Sequence, residues 1–391
     1  MAILITTENL GENPVLTSVA NELDLTTTWI RSGDGLVGFG EYKKIELTGE
    51  DRFEKAKAWW QTQLSEFKIQ NNVHGSGTGP ILFGSFSFDP NEKSILVIPK
   101  IILGKKAGKS WVTWIGNDTQ PNFSTISNSL PSGEITWSNG ALSESQWKDQ
   151  VSFAVDSIKQ NKLEKVVLAR DQVAASTVAI NTRGLLQRLE IEYPSTWLFL
   201  VDGLIGATPE LLVRLSKSLV TSRVLAGTIR KTGNEDRDLA LAASLAKSSK
   251  DLEEHEYAVR SVADALAPFC SSTNVPESPF VLHLANVMHL ATDVTGALVE
   301  TLAHTDAFTI LEQLHPTAAV CGTPRPIAAA LITEIEGISR GRYAGPVGWI
   351  DAAGDGELGI ALRCGQINGD TIRIFAGCGI VDGSDPDIEL A

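Results

Sequence analysis

The chain has 391 residues, 43% of them apolar and 20% charged, the balance of a folded globular protein and not of a disordered one. A formal net charge of −14 argues against non-specific binding to nucleic acid or to an anionic membrane. An anionic ligand would therefore need local Arg, Lys or a metal to offset the global field.

The first residues, MAILITTENL, lack the basic start and apolar length of a signal peptide. Residues 1 to about 115 then mix apolar runs (ILFGSFSFD, SILVIPKIIL) with one helical stretch, FEKAKAWWQTQLSEF, and predict strands plus a helix. GKKAGKS, from Gly104 to Ser110, has three residues between its glycines where a phosphate loop needs four, so a basic turn is expected. Residues 118 to 142 are rich in Ser, Thr, Asn, Pro and Gly and read as a loop or linker. Ser143 and Gln146 stand at capping-box spacing, and Trp147, Val151, Val155 and Ile158 follow on one helical face. After QNKLE comes the short apolar strand KVVLAR, then TWLFLVDGLIGATPELLVRL, with Glu210 in an apolar, hairpin-like segment. SSKDLEEHEYAVRSVADAL is a second well-marked helix. The longest apolar candidate, around Thr317 to Ile332, is broken by Pro324, Arg325 and Pro326, so no membrane span is expected. Asn368-Gly369 joins two strands that must be antiparallel. The irregular order of helices and strands disfavours a parallel doubly wound sheet and favours an α+β fold with large antiparallel sheets. Four cysteines (Cys270, Cys321, Cys364, Cys378) form no CxxC pair and read as buried free thiols in a reducing cytoplasm.

Several residues carry chemistry beyond these elements. Asp251 and Glu254, three apart on a helix, place two carboxylates on one face, either as a solvated acidic surface or as a hard oxygen pair suited to Mg²⁺. His255 faces elsewhere on that helix. Lys165 heads an apolar strand, as an edge charge or as a desolvated base. Glu210, in apolar surroundings, should have a raised pKa and could act as an acid near neutrality. His289 and His315 each read first as satisfied structural histidines. Arg363, inside what reads as the strand GIALRCG, should be buried and so need an anionic partner, with Tyr343 within reach of the same anion. GCG at Gly377 to Gly379 is followed by the polar turn VDGSDPD and not by a helix, so no dinucleotide fingerprint is expected.

The motifs KVVLAR, ATPELL, LAGTIR, SKDLEEHEYAV, MHLATDVTG, LHPTAAVCGTPR, RYAGPVGWID with GDGE, IALRC, and FAGCGIV with SDPDIEL occur in the order found in chorismate-utilising enzymes. Over residues 143 to 391 the chain resembles that family of isochorismate, salicylate, anthranilate and aminodeoxychorismate synthases. Its first 140 residues match loosely, through GPILFGSFSFD. The resemblance implies one large α+β domain of antiparallel sheets in a sandwich wrapped by helices, with residues 1–140 a weakly matching part of the same fold and 141–391 the chorismate-binding catalytic region. It implies Lys165 as general base and Glu210 as general acid. Glu254 and Glu389 would be Mg²⁺ ligands, with Asp251 and Glu357 nearby. Arg363 and Tyr343 would bind the pyruvyl carboxylate, Gly227, Thr228 and Gly377 would line the site, and His289 would lie beside the ring.

Within the family, Lys165 stands where ammonia-using members lack a lysine, and Ala226 stands where aminodeoxychorismate synthases carry a nucleophilic one. The resemblance therefore implies isochorismate synthase activity in a cytoplasmic monomer that acts on chorismate and needs no glutaminase subunit, nucleic acid or membrane. A salicylate synthase, which tends to place a hydroxyl residue where this chain has Ala319, and a catalytically retired binding subunit are the alternatives. Family members continue past ELA with a helix that adds a carboxylate. With Glu389 two residues from Ala391, the end of this chain is expected to be mobile without ligands.

Overall fold

The computed structural model of the chain describes residues 2–116, 119–126, 133–299 and 306–390, apart from the side chains of Lys250 and Glu254. Among these residues two large sheets share one apolar core. The first has thirteen strands, its path running Ile135–Asn139, Lys165–Ser176, Thr371–Ile380, Cys364–Asn368, Leu204–Thr208, Trp197–Val201, Leu25–Arg31, Asp34–Phe39, Ile101–Lys106, Lys109–Ile115, Ile3–Asn9 and Phe67–Asn71. The second has ten, running Cys270–Asn274, Val287–Leu298, Leu219–Arg230, Leu211–Ser216, Gly356–Ile360, Pro346–Asp351, Ile81–Ser85, Ser94–Ile98 and Lys43–Leu47, with Phe280–His283 paired to Val287–Leu298 beside this path. Pairing is antiparallel except between Ile3–Asn9 and Phe67–Asn71. Residues before 116 supply one end of each sheet, joined to the rest through Leu25–Arg31 against Trp197–Val201 and Ile81–Ser85 against Pro346–Asp351.

The central core takes Trp29, Trp111 and Phe199 from the first sheet and Phe83, Val213, Trp349 and Leu358 from the second. A separate core forms behind the Lys165 strand. Helix Glu144–Lys159 starts at a complete Ser143–Gln146 capping box and buries Trp147, Val151, Val155 and Ile158. Helix Arg325–Ile335, opened by Pro326, adds Ala328, Leu331 and Ile332 against Val166, Leu168 and Ile380. Burial of these side chains, roughly 1.5–3 kcal/mol each, clamps the strand that begins at Lys165.

Three readings of the sequence change. Ile135–Asn139, inside the expected linker, is an edge strand paired with Gln172–Ser176. Ile135 and Trp137 alternate with Thr136 and Ser138, but the run is short and fully exposed, and the Ser, Asn, Pro and Gly around it read as loop. Glu210 and Arg363 are not in a hairpin and a strand. Each lies where the chain crosses between sheets, Glu210 between Leu204–Thr208 and Leu211–Ser216, Arg363 between Gly356–Ile360 and Cys364–Asn368. Two of the cysteines, Cys270 and Cys378, are only partly buried, though all four are free.

Candidate active site

The two crossings run side by side. Ile360 N–H donates to Glu210 O at 3.2 Å and Ala207 N–H to Arg363 O at 3.2 Å, which sets the two charged residues at one corner of the sandwich. Arg363 takes a φ of +50°, a left-handed conformation that non-glycine residues seldom adopt outside functional sites. Its guanidinium is exposed rather than buried in a strand, and Nη2 lies 2.9 Å from His289 Nε2. His289 Nδ1 is 2.9 Å from Thr228 Oγ1. Arginine can only donate, so Nε2 accepts and Nδ1 carries the proton toward Thr228. Burial and the Arg363 charge push the His289 pKa down to about 4, which keeps the ring neutral.

Gly227, just before Thr228, makes a bulge in its strand at φ +76°. A Cβ there would come within 3.2 Å of the Asp251 Cβ, so glycine brings the bulge down onto helix Ser249–Leu266. That helix is pinned from below by His255, whose ring contacts Ala226 O at 3.3 Å and Thr292 Oγ1 at 2.7 Å. His255 is therefore structural and faces the sheet. Glu254 lies on the same helix, but its side chain falls outside the described residues.

The opposite wall comes from Lys165 and the strand Thr371–Ile380. A Cβ at Gly379 would fall 2.7 Å from Lys165 Cε, and one at Gly377 would fall 2.9 Å from the Tyr343 hydroxyl. Both glycines thus leave room for a reactive side chain. Tyr343 is buried and stacked on Phe375, with ring centroids 5.0 Å apart. Burial raises its pKa, so it stays a neutral hydroxyl. No hydrogen bond joins it to Arg363. Glu389 hydrogen-bonds the Cys378 thiol, whose pKa burial and this carboxylate both raise. The end of the chain, expected to be mobile, forms a short helix Pro386–Leu390, held by a Lys148–Asp387 ion pair and by Leu390 against the helix-backed core.

Glu210 is 6% exposed, and among the described residues its carboxyl makes no hydrogen bond or ion pair. Burial raises its pKa to about 8, with Lys165 and Arg363 pulling the other way. At neutral pH it is a protonated acid flanked by two cationic residues. It also lines a cavity of about 480 Å³ with Thr317, Ala319 and Gly322. Behind that loop His315 is 5% exposed, and among the described residues neither ring nitrogen has a close hydrogen bond, the Phe88 backbone giving only weak support. Phe53 and Phe88 meet it edge-on, and burial lowers its pKa to about 3.

Glu357 is not brought to this corner. It accepts hydrogen bonds from Trp29 Nε1 at 3.0 Å and Arg214 Nε at 2.7 Å, and it lines a different cavity with Trp29, Arg31 and Trp197. Strand alternation, with Glu357 opposite Arg214, turns it into the space between the sheets. Among the described residues no group of three His, Cys, Asp or Glu side chains could hold a metal. Asp251 and Glu389 remain as hard oxygen donors, neither with an ion pair among the described residues. The sequence reading missed the buried pair Glu336–Arg340, whose four-residue spacing across Gly337 just before the RYAGPVG motif was the available signal.

A family model described as chorismate binding enzyme matches residues 15–391. The chain belongs to this family. An isochorismate synthase, MenF, of Bacillus subtilis is 30% identical over 385 residues, spanning 90% of this chain and 81% of the relative. A putative isochorismate synthase MenF of Mycobacterium tuberculosis is 34% identical over 345 residues, spanning 84% and 88%. Among solved structures, a putative 2,3-dihydroxybenzoate-specific isochorismate synthase, DhbC, from Bacillus anthracis matches with a TM-score of 0.77 at 30% identity, over 94% of this chain and 92% of that one. The menaquinone-specific isochorismate synthase MenF from Escherichia coli shares the fold, with a TM-score of 0.82 over 99% and 91% at 22% identity. No helix among the described residues is long and apolar enough to cross a membrane.

Proposed function

We propose that the protein is an isochorismate synthase, converting chorismate to isochorismate with residues 141–391 carrying the chemistry. The observation that carries this reading is the protonated, buried Glu210 flanked by Lys165 and Arg363. Lys165 takes a proton from a water whose oxygen bonds to C2. The ring double bonds shift, the C4–oxygen bond breaks, and Glu210 gives its proton to the departing hydroxyl, which leaves as water. Atoms balance, one water entering and one leaving, and no covalent intermediate is needed. Arg363 and Tyr343 bind the pyruvyl carboxylate. Gly227, Thr228 and Gly377 line the pocket, and neutral His289 lies beside the ring, fixing the Arg363 guanidinium.

Mg²⁺ fits the donors present. Glu254 and Glu389 would hold it, with Asp251 on the same helix as Glu254, and Mg²⁺ characteristically adds substrate and water oxygens to one or two carboxylates. When bound, it would neutralise the ring carboxylate of chorismate. We place the protein in the cytoplasm, acting as a monomer without a glutaminase subunit. Ala319, a methyl where a hydroxyl residue would help hold the geometry for pyruvate loss, favours release of isochorismate over salicylate.

Incubating the protein with chorismate and Mg²⁺ tests this. A product of unchanged mass, lost on adding chelator, is expected. Anthranilate on adding ammonium would exclude the assignment, and stoichiometric salicylate at early times would favour the salicylate synthase reading.

A further inference from the structure

One edge of the strand Lys165–Ser176 is covered in pieces. At its head Lys165 and Val166 pair with Thr323 and Gly322, and Val167 N–H donates to Cys321 O. At its tail Gln172–Ser176 pair with Ile135–Asn139. The gap between the two is filled by side chains. Ala169 N–H donates to Glu336 Oε2 at 2.9 Å, and Arg340 Nη2 donates to Val167 O at 2.7 Å. Arg340 closes on Glu336 through Nε to Oε1 at 2.6 Å and Nη2 to Oε2 at 2.5 Å, while Nη1 donates to Val320 O at 3.0 Å. Arg340 also lies over the Phe88 ring, 4.1 Å from its centroid, and its carbonyl accepts from Tyr343 N–H at 3.0 Å.

The pair is buried, its side chains 3% and 2% exposed. Burying two charges gains little stability over apolar residues of the same volume, because desolvation offsets the attraction. What this pair does, and an apolar pair could not, is bond three backbone groups, Ala169 N–H, Val167 O and Val320 O. It ties the strand behind Lys165 to the loop that carries Ala319 and Val320, two residues from the lysine on one side and one residue from Ala319 on the other. We propose that Glu336 and Arg340 are positioning residues: they replace the missing stretch of strand and set the distance between the Lys165 base and the Ala319 wall of the ring pocket. This rests on the reading of Lys165 as the base.

The test is the double variant Glu336→Leu/Arg340→Met, which removes both charges at similar volume, beside Arg340→Lys, which keeps the ion pair but cannot reach Val167 O and Val320 O together. Amide exchange at Ala169 reads the geometry whatever the substrate, and chorismate turnover reads its consequence. Both variants should fold. The double variant should lose protection at Ala169, and both should lose kcat by about 10- to 100-fold, the scale of a misplaced catalytic group, with KM for chorismate moving less than about threefold. Unchanged Ala169 protection in the double variant would show that the pair does not hold the strand. Wild-type kcat in either folded variant would reduce the pair to architecture. If the double variant does not fold, Arg340→Lys decides alone. Failure of the wild-type protein to turn over chorismate would remove the functional reading instead, while the exchange result would still stand.

Discussion

Glu357, on a strand, and Glu210, at the crossing that leads into the neighbouring strand, are carboxyls of one sandwich, and they meet opposite fates. Around Glu357 every charge is matched at close range: Trp29 and Arg214 donate to it, Asp293 chelates Arg223 at 2.6 and 2.7 Å, and Arg31 lies 4.1 Å from the centre of the Trp197 ring. Around Glu210 the cations act without touching, and the carboxyl is left protonated to about pH 8. The matched charges pair neighbouring strands of one sheet, and the Trp29 indole reaches across from the other sheet to Glu357. A carboxyl buried without a partner is a stored proton. The resemblance placed Glu357 near the metal, and its hydrogen bonds place it in the inter-sheet cluster.

The largest effect that could break this contrast is on turnover. Glu210→Gln and Lys165→Ala should each cost about 10²–10⁴-fold in kcat, the range of a lost general acid or base, in both directions of the reaction. Near-native turnover of Lys165→Ala would return that residue to a strand-edge charge. Glu357→Gln should leave kcat within about threefold but lower the melting temperature, because it weakens a charged hydrogen bond worth roughly 1.5–3 kcal/mol.

The same contrast sharpens with pH. The Glu210 pKa is raised from its ordinary 4.5 to about 8, so the folded chain keeps a proton that the unfolded chain has released. Stability from this group therefore declines as pH rises through that window and levels off above about 8. Glu210→Gln should match the wild type in melting temperature near pH 4 and exceed it at pH 8. Activity should fall through about pH 8 as the acid loses its proton. A wild-type–variant difference in melting temperature that does not change with pH would show that Glu210 is ionised in the folded state.

The sequence carried the helices and most strands, because capping at Ser143 and the apolar face Trp147–Ile158 are local signals. It also singled out Lys165, Glu210, Arg363 and Tyr343 as candidates, through ordered motifs. What it could not carry was the crossing of chain between sheets. Arg363 reads as mid-strand because its flanks are apolar, and only the pairing partners on either side reveal that Gly356–Ile360 and Cys364–Asn368 belong to different sheets. The edge strand Ile135–Asn139 alternates Ile135 and Trp137 with polar residues, but so briefly, inside a Ser-, Asn- and Gly-rich stretch, that loop composition hid it. Glu336 and Arg340 escaped because their four-residue spacing was not read as a pair, and the backbone groups they bond lie far away in sequence.

The smallest expected effect lies at His289. Arg363 fixes the tautomer by donating to Nε2, and the Nδ1 proton goes to Thr228 Oγ1 at 2.9 Å. Thr228→Val removes that acceptor, one neutral hydrogen bond worth about 0.5–1.5 kcal/mol. A backbone hydrogen bond at Gly227 also supports the ring, so the tautomer should survive the change. The variant should then lose only about two- to tenfold in kcat/KM, and nitrogen shifts of the His289 ring should still report a proton on Nδ1. A proton found on Nε2 in the wild type would mean that Arg363 does not donate there, and the guanidinium would have to be held for its carboxylate by something other than His289.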